Sequence, residues 1–109
     1  LRTLVKFMIQ YPIFLKDTDD YMYRVSKEDE LQSKLEINDI IDNEYAGWDS
    51  MGRRLNIYQE SGIIKVKLAG TQIYLCELKQ AISNYARIHK NTIIDSNDFF
   101  NAETMFDAI

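Results

Sequence analysis

Two alternating segments constrain this chain more than any other feature. Arg54-Leu55-Asn56-Ile57-Tyr58-Gln59 puts Leu55 and Ile57 on one face, and Ile63 to Ala69 puts Ile64, Val66 and Leu68 on one face. Side chains alternate across a strand, so this period fits a half-buried sheet and not a helix. Glu60-Ser61-Gly62 lies between them and reads as a tight loop, which makes the pair a β-hairpin. An isolated hairpin is marginal in water, so the rest of the chain must supply further strands and a covering layer.

Further strand signals lie upstream. Thr3 to Ile9 is mostly β-branched or aromatic and reads as a strand that Pro12 ends or marks as an edge. Ile13-Phe14-Leu15 and Tyr21-Met22-Tyr23-Arg24-Val25 flank Lys16-Asp17-Thr18-Asp19-Asp20, whose composition is that of a turn. These form a first hairpin.

Helix signals alternate with them. Ser26 is placed to cap a short helix over 27–36, with Glu28, Asp29 and Glu30 in its first turn and Leu31 and Leu35 on one face. Ile37 to Ile41 fits a strand or a helix end equally, and both readings stay open. Asp49 to Gly52 has the residues of a type I turn. Gly70-Thr71 ends the second hairpin, and Thr71 caps a helix over 72–89. Its apolar stripe is Leu75, Leu78, Ile82, Tyr85 and Ala86. Asn91 to Asp95 reads as extended. Ser96 then caps a terminal helix with Phe99, Ala102, Phe106 and Ile109 on one face. The expected fold is α+β: an antiparallel sheet of four or five strands with helices packed on one face. With 109 residues it forms a single domain over 1–109.

Charge is unevenly spread. Residues 16–50 hold eleven carboxylates against four cations, a local charge of −7, while the remainder is +3. A field of this sign repels nucleic acid and anionic membrane, and it attracts basic proteins. Charge alone leaves two readings open, a solvated face that keeps the protein soluble or a face that meets a protein partner with a basic surface; neither involves nucleic acid or membrane. No apolar run is long enough to span a bilayer. Leu1 to Leu15 carries Lys6, Gln10 and Pro12 and does not read as a signal peptide. A start at Leu1 rather than Met reads as a trimmed or partly observed N-terminus. One thiol and no signal point to the cytoplasm.

Chemistry-bearing residues are few. His89 is the only histidine and has no local carboxylate or nucleophile to pair with, so it reads as a helix-end cation. Cys76 is the only cysteine and is expected in the core beside the helix stripe. An EF-hand loop starting at Asp17 is rejected, because Met22 falls where the tight turn needs glycine. Asp39, Asp42, Glu44 and Asp49 could hold Mg²⁺ with Arg53 and Arg54 on phosphate, but no lysine or histidine stands near to steer water. The preferred reading has Asp49 bonding turn amides and the other acids facing solvent. No metal and no cofactor is expected. Tyr45 and Trp48 stand three apart among acids. They are either anchors for a basic partner or rings packed under the second hairpin.

Tyr11-Pro12-Ile13-Phe14-Leu15, Leu35-Glu36 with Asp39-Ile40, and Asn43-Glu44-Tyr45-Ala46-Gly47-Trp48-Asp49-Ser50-Met51-Gly52 resemble small bacterial immunity proteins of polymorphic toxin and contact-dependent growth inhibition systems. The resemblance covers residues 11–60. It implies a non-enzymatic inhibitor that binds a cognate toxin domain, often a nuclease. The candidate partner-binding residues are then Asp17, Asp19, Asp20, Asp39, Asp42, Glu44, Tyr45, Trp48 and Asp49. The alternatives are a regulatory or scaffold module and a metal-dependent enzyme built on the acids from Asp39 to Asp49.

Overall fold

The structure is a computed structural model that describes residues 7–42 and 44–109. Its centre is a five-stranded antiparallel sheet in the order β2-β1-β3-β4-β5. The strands are β1 (Ile13–Lys16), β2 (Met22–Val25), β3 (Ala46–Trp48), β4 (Arg53–Glu60) and β5 (Ile63–Ile73). The described helices are α1 (Leu31–Lys34), α2 (Ile37–Ile41), α3 (Leu75–His89) and α4 (Ala102–Asp107), with 3-10 turns at Glu28–Glu30 and Ser96–Asp98.

Both predicted hairpins form. β1 and β2 pair from Ile13↔Val25 to Lys16↔Met22, and β4 and β5 pair from Glu60↔Ile63 to Leu55↔Leu68. Ser61 and Gly62 connect the second pair, with φ of 53° and 78°. Positive φ at both central residues is what a type I′ turn requires, and its twist matches that of the strands.

The expected fold class holds, but the placement of the helices does not. Helices cover both faces of the sheet. Ile13 and Leu15 point into one core with Val25, Leu31, Leu35, Ile40, Leu55, Ile64 and Val66, beneath α1 and α2. Phe14 points the other way, into a second core with Met22, Trp48, Leu78, Ile82 and Met105, beneath α3 and α4. The sequence carries the reason. Ile13, Phe14 and Leu15 are consecutive and each is fully buried, and a strand apolar on both sides needs a layer on each.

Other boundaries move. The strand expected at 3–9 lies outside the described residues over 3–6, and residues 7–9 form no strand. The helix expected over 27–36 is a 3-10 turn running into α1, and Leu35 is already extended. Ser26 does not cap it; its N–H donates instead to the Glu30 carboxylate at 3.2 Å. Ile37–Ile41 resolves as helix. β5 runs through Gly70 and Thr71 to Ile73, with a register shift opposite Arg53 to Leu55, so Thr71 is a strand residue and α3 starts at Leu75. The Tyr74 N–H is held by the Gly52 carbonyl at 2.8 Å, which ties the start of α3 to the Asp49 turn. Gly52 has φ of +86°, and a Cβ there would stand 2.8 Å from the Leu75 backbone. Ser96 opens only a 3-10 turn; α4 is capped by Asn101, which accepts from the Thr104 N–H at 2.9 Å.

Candidate functional site

The acids separated in sequence meet at one end of the sheet. β1 ends at Lys16, which is paired with Met22 on one side and Ala46 on the other. The Asp17–Tyr21 turn and the segment leading into β3 must therefore leave the sheet side by side. Asp17 folds the turn, its Oδ1 accepting from the N–H groups of Asp19 at 2.9 Å and Tyr21 at 3.0 Å. This is the local side-chain bonding that makes aspartate a turn residue.

Two tyrosines bridge the segments. The Tyr23 hydroxyl donates to Asp17 Oδ2 at 3.4 Å, and the Tyr45 hydroxyl donates to Asp39 Oδ2 at 3.2 Å. Their rings meet edge to face at 6.3 Å. Partial burial and then the bond to Asp39 push the Tyr45 hydroxyl up to about 12, so it stays a donor across the physiological range. The Tyr23 hydroxyl is also raised, by burial first and by Asp17 second.

The carboxylates act on one another. A hydrogen bond with Asp39 holds the Glu44 carboxyl above the ordinary glutamate range, helped by burial and by the charges of Asp39, Asp42 and Asp19. Lys16 and His89 border the patch: Lys16 pairs with Asp20 at 3.3 Å, and His89 Nε2 donates to the Asp19 carbonyl at 2.7 Å. His89 also lies edge to face against Tyr21 at 5.2 Å, so the end of α3 is fixed to the turn.

Asp17, Asp19, Asp20, Asp39, Asp42, Glu44 and Tyr45 thus form one edge. Trp48 and Asp49 do not belong to it. Trp48 is buried in the core under α3, and its indole N–H donates to Glu77 Oε1 at 2.9 Å. Trp48 is therefore a packed ring, but it packs under α3 and not under the second hairpin as expected. Asp49 has no exposed surface. It accepts from the N–H groups of Gln10, Met51 and Arg53 and from the Arg53 guanidinium at 2.7 Å. Arg53 is itself buried and donates onward to the Met8 carbonyl at 2.5 Å. Both residues are part of the framework, held by the Asp49 turn on one side and by the Met8–Gln10 segment on the other.

Cys76 is exposed, not in the core. It sits one residue past Leu75, about 100° around the helix from it. Tyr21, Tyr23 and His89 are the patch residues that sequence reasoning missed. Their signal was present as two tyrosines immediately after an aspartate-rich turn, but they were assigned only to a strand.

Among the described residues, no three His, Cys, Asp or Glu side chains are arranged to hold a metal ion. Among those residues also, no helix is long and apolar enough to cross a membrane. Comparison with protein-family models, with curated proteins and with solved structures finds no match. The class that stands is a five-stranded antiparallel α+β domain with an acidic, tyrosine-lined edge.

Proposed function

We propose that the chain is a non-enzymatic immunity protein that neutralises a cognate bacterial toxin domain by binding it through this acidic edge. One observation carries the reading. The carboxylates of the Asp17–Asp20 turn and of Asp39–Glu44 converge around Tyr23 and Tyr45. Carboxylates beside half-buried tyrosines suit a basic surface, because the rings supply contact area and the acids complement lysine and arginine. The resemblance over residues 11–60 supplies the kind of partner, and a basic nuclease cleft has the required charge.

The test is co-expression with a basic nuclease toxin domain, sought first among the neighbouring genes. Changing Asp39, Asp42 and Glu44 together to lysine should weaken binding by about 3 kcal/mol or more, since like charges would then face each other. The wild-type association rate should fall as salt rises, because screening shortens the field. A triple variant that melts normally and still protects cells would refute the choice of edge.

A further inference from the structure

β5 is an outer strand of the sheet, and one side chain closes part of its free edge. The Ser61-Gly62 loop makes Glu60 and Ile63 the hydrogen-bonded pair that ends the hairpin. Bonding to β4 alternates from there. Ile63, Lys65 and Lys67 turn their backbone groups toward β4, while Ile64, Val66 and Leu68 turn theirs outward. Gln32 of α1 shows the consequence. Its Nε2 donates to the Ile64 carbonyl at 2.8 Å, and its Oε1 accepts from the Ile64 N–H at 3.0 Å. A side-chain amide stands where one residue of a sixth strand would stand. Among the described residues none does the same for Val66 or Leu68. The opposite edge is less open: β2 has four residues, and its Arg24 carbonyl already accepts from Lys34 Nζ at 2.6 Å.

We infer that the β5 edge at Val66–Leu68 takes up an extended segment of another protein as a sixth strand, and that this segment alternates apolar and acidic residues. The chemistry of the two faces sets that pattern. On one face Val66 is buried and Leu68 half-buried, so apolar residues alongside would extend an existing core. On the other face stand Lys65 and Lys67. Lys65 lies 3.6 Å from Glu60, and Lys67 lies 5.1 Å from the centre of the Tyr58 ring. Carboxylates on the added strand would sit beside both. A second copy of this chain fits less well: a two-fold pairing centred on Val66 sets Lys65 opposite Lys67 of the other copy, and like charges directly opposed destabilise.

The experiment titrates isotope-labelled protein with a capped seven-residue peptide alternating valine and glutamate, and in parallel with one alternating valine and lysine. The glutamate peptide should bind and slow hydrogen exchange at the Val66 and Leu68 amides. The Lys65→Glu, Lys67→Glu double variant should change the preference between the peptides by about tenfold toward the lysine one. If that variant does not fold, discrimination by the wild-type protein decides. No binding of either peptide, equal binding of both, binding that protects neither amide, or self-association through β5 at the same concentration would each overturn the inference.

Discussion

Asp49 shows how much one buried carboxylate can organise. It closes the turn whose Gly52 N–H returns to its carbonyl at 2.9 Å, it accepts the Gln10 N–H at 3.2 Å, and it neutralises a buried guanidinium. Turn bonding was legible in the Asp-x-x-Gly spacing. The ion pair was not, because Arg53 follows at a distance that equally suits an exposed strand residue. The difference changes the expected energetics. A solvated turn aspartate would cost about 1 kcal/mol to truncate. Asp49→Ala removes one buried carboxylate that neutralises Arg53 and also accepts three backbone N–H groups, so urea unfolding should show a loss of about 3–5 kcal/mol. A loss near 1 kcal/mol would mean that water or another group compensates Arg53.

At the scale of elements, the acid patch joins α2 to the start of β3, and its carboxylates oppose one another. Glu44 holds its proton more tightly in the fold than in an unfolded chain. The stability it contributes is therefore complete below the ordinary glutamate pKa and is lost as pH rises through the raised one. Glu77 behaves oppositely. Its hydrogen bond with the Arg54 guanidinium holds it low, so its contribution is present above the ordinary pKa and lost as pH falls. Asp39→Asn removes the charge beside Glu44 and keeps an acceptor for the Tyr45 hydroxyl. It should raise the melting temperature at neutral pH, with the gain shrinking toward pH 4, while the Glu44 titration moves down toward the usual range. A gain independent of pH would show that Asp39 does not act on Glu44 by charge. On α3, the apolar stripe predicted from spacing is the buried face, with Leu78 and Ile82 fully enclosed. The placement of Cys76 failed because residue type outweighed angle: position 76 lies off that stripe. Cys76 should therefore react stoichiometrically with a thiol reagent in native buffer, and adding denaturant should not increase the number of reactive thiols.

Across the whole molecule, the sheet separates two cores that share β1. Leu15 belongs to one and Phe14 to the other, and each is fully buried. Both layers should lose stability together. Leu15→Ala should cost about 2–5 kcal/mol and Phe14→Ala about 3–5 kcal/mol. Both should give single denaturant transitions with slopes like the wild type. A second transition in either variant would show that one layer can melt while the other persists.

What the sequence determined is local. The period of two in β4 and β5, the Ser61-Gly62 loop, the α3 stripe and the concentration of acids in residues 16–50 each depend on neighbours within a few positions, where backbone geometry alone sets the pattern. Tertiary structure decided the rest. It chose helix for Ile37–Ile41, carried β5 past Gly70 and Thr71, and set the helices on both faces of the sheet. It also gathered Asp17, Asp39, Glu44 and Tyr45 into one edge. Those outcomes depend on which strands pair and in what register. Pairing is settled by burying Ile13, Phe14 and Leu15 on both sides at once, a requirement that a sequence states as composition and only a folded sheet states as position.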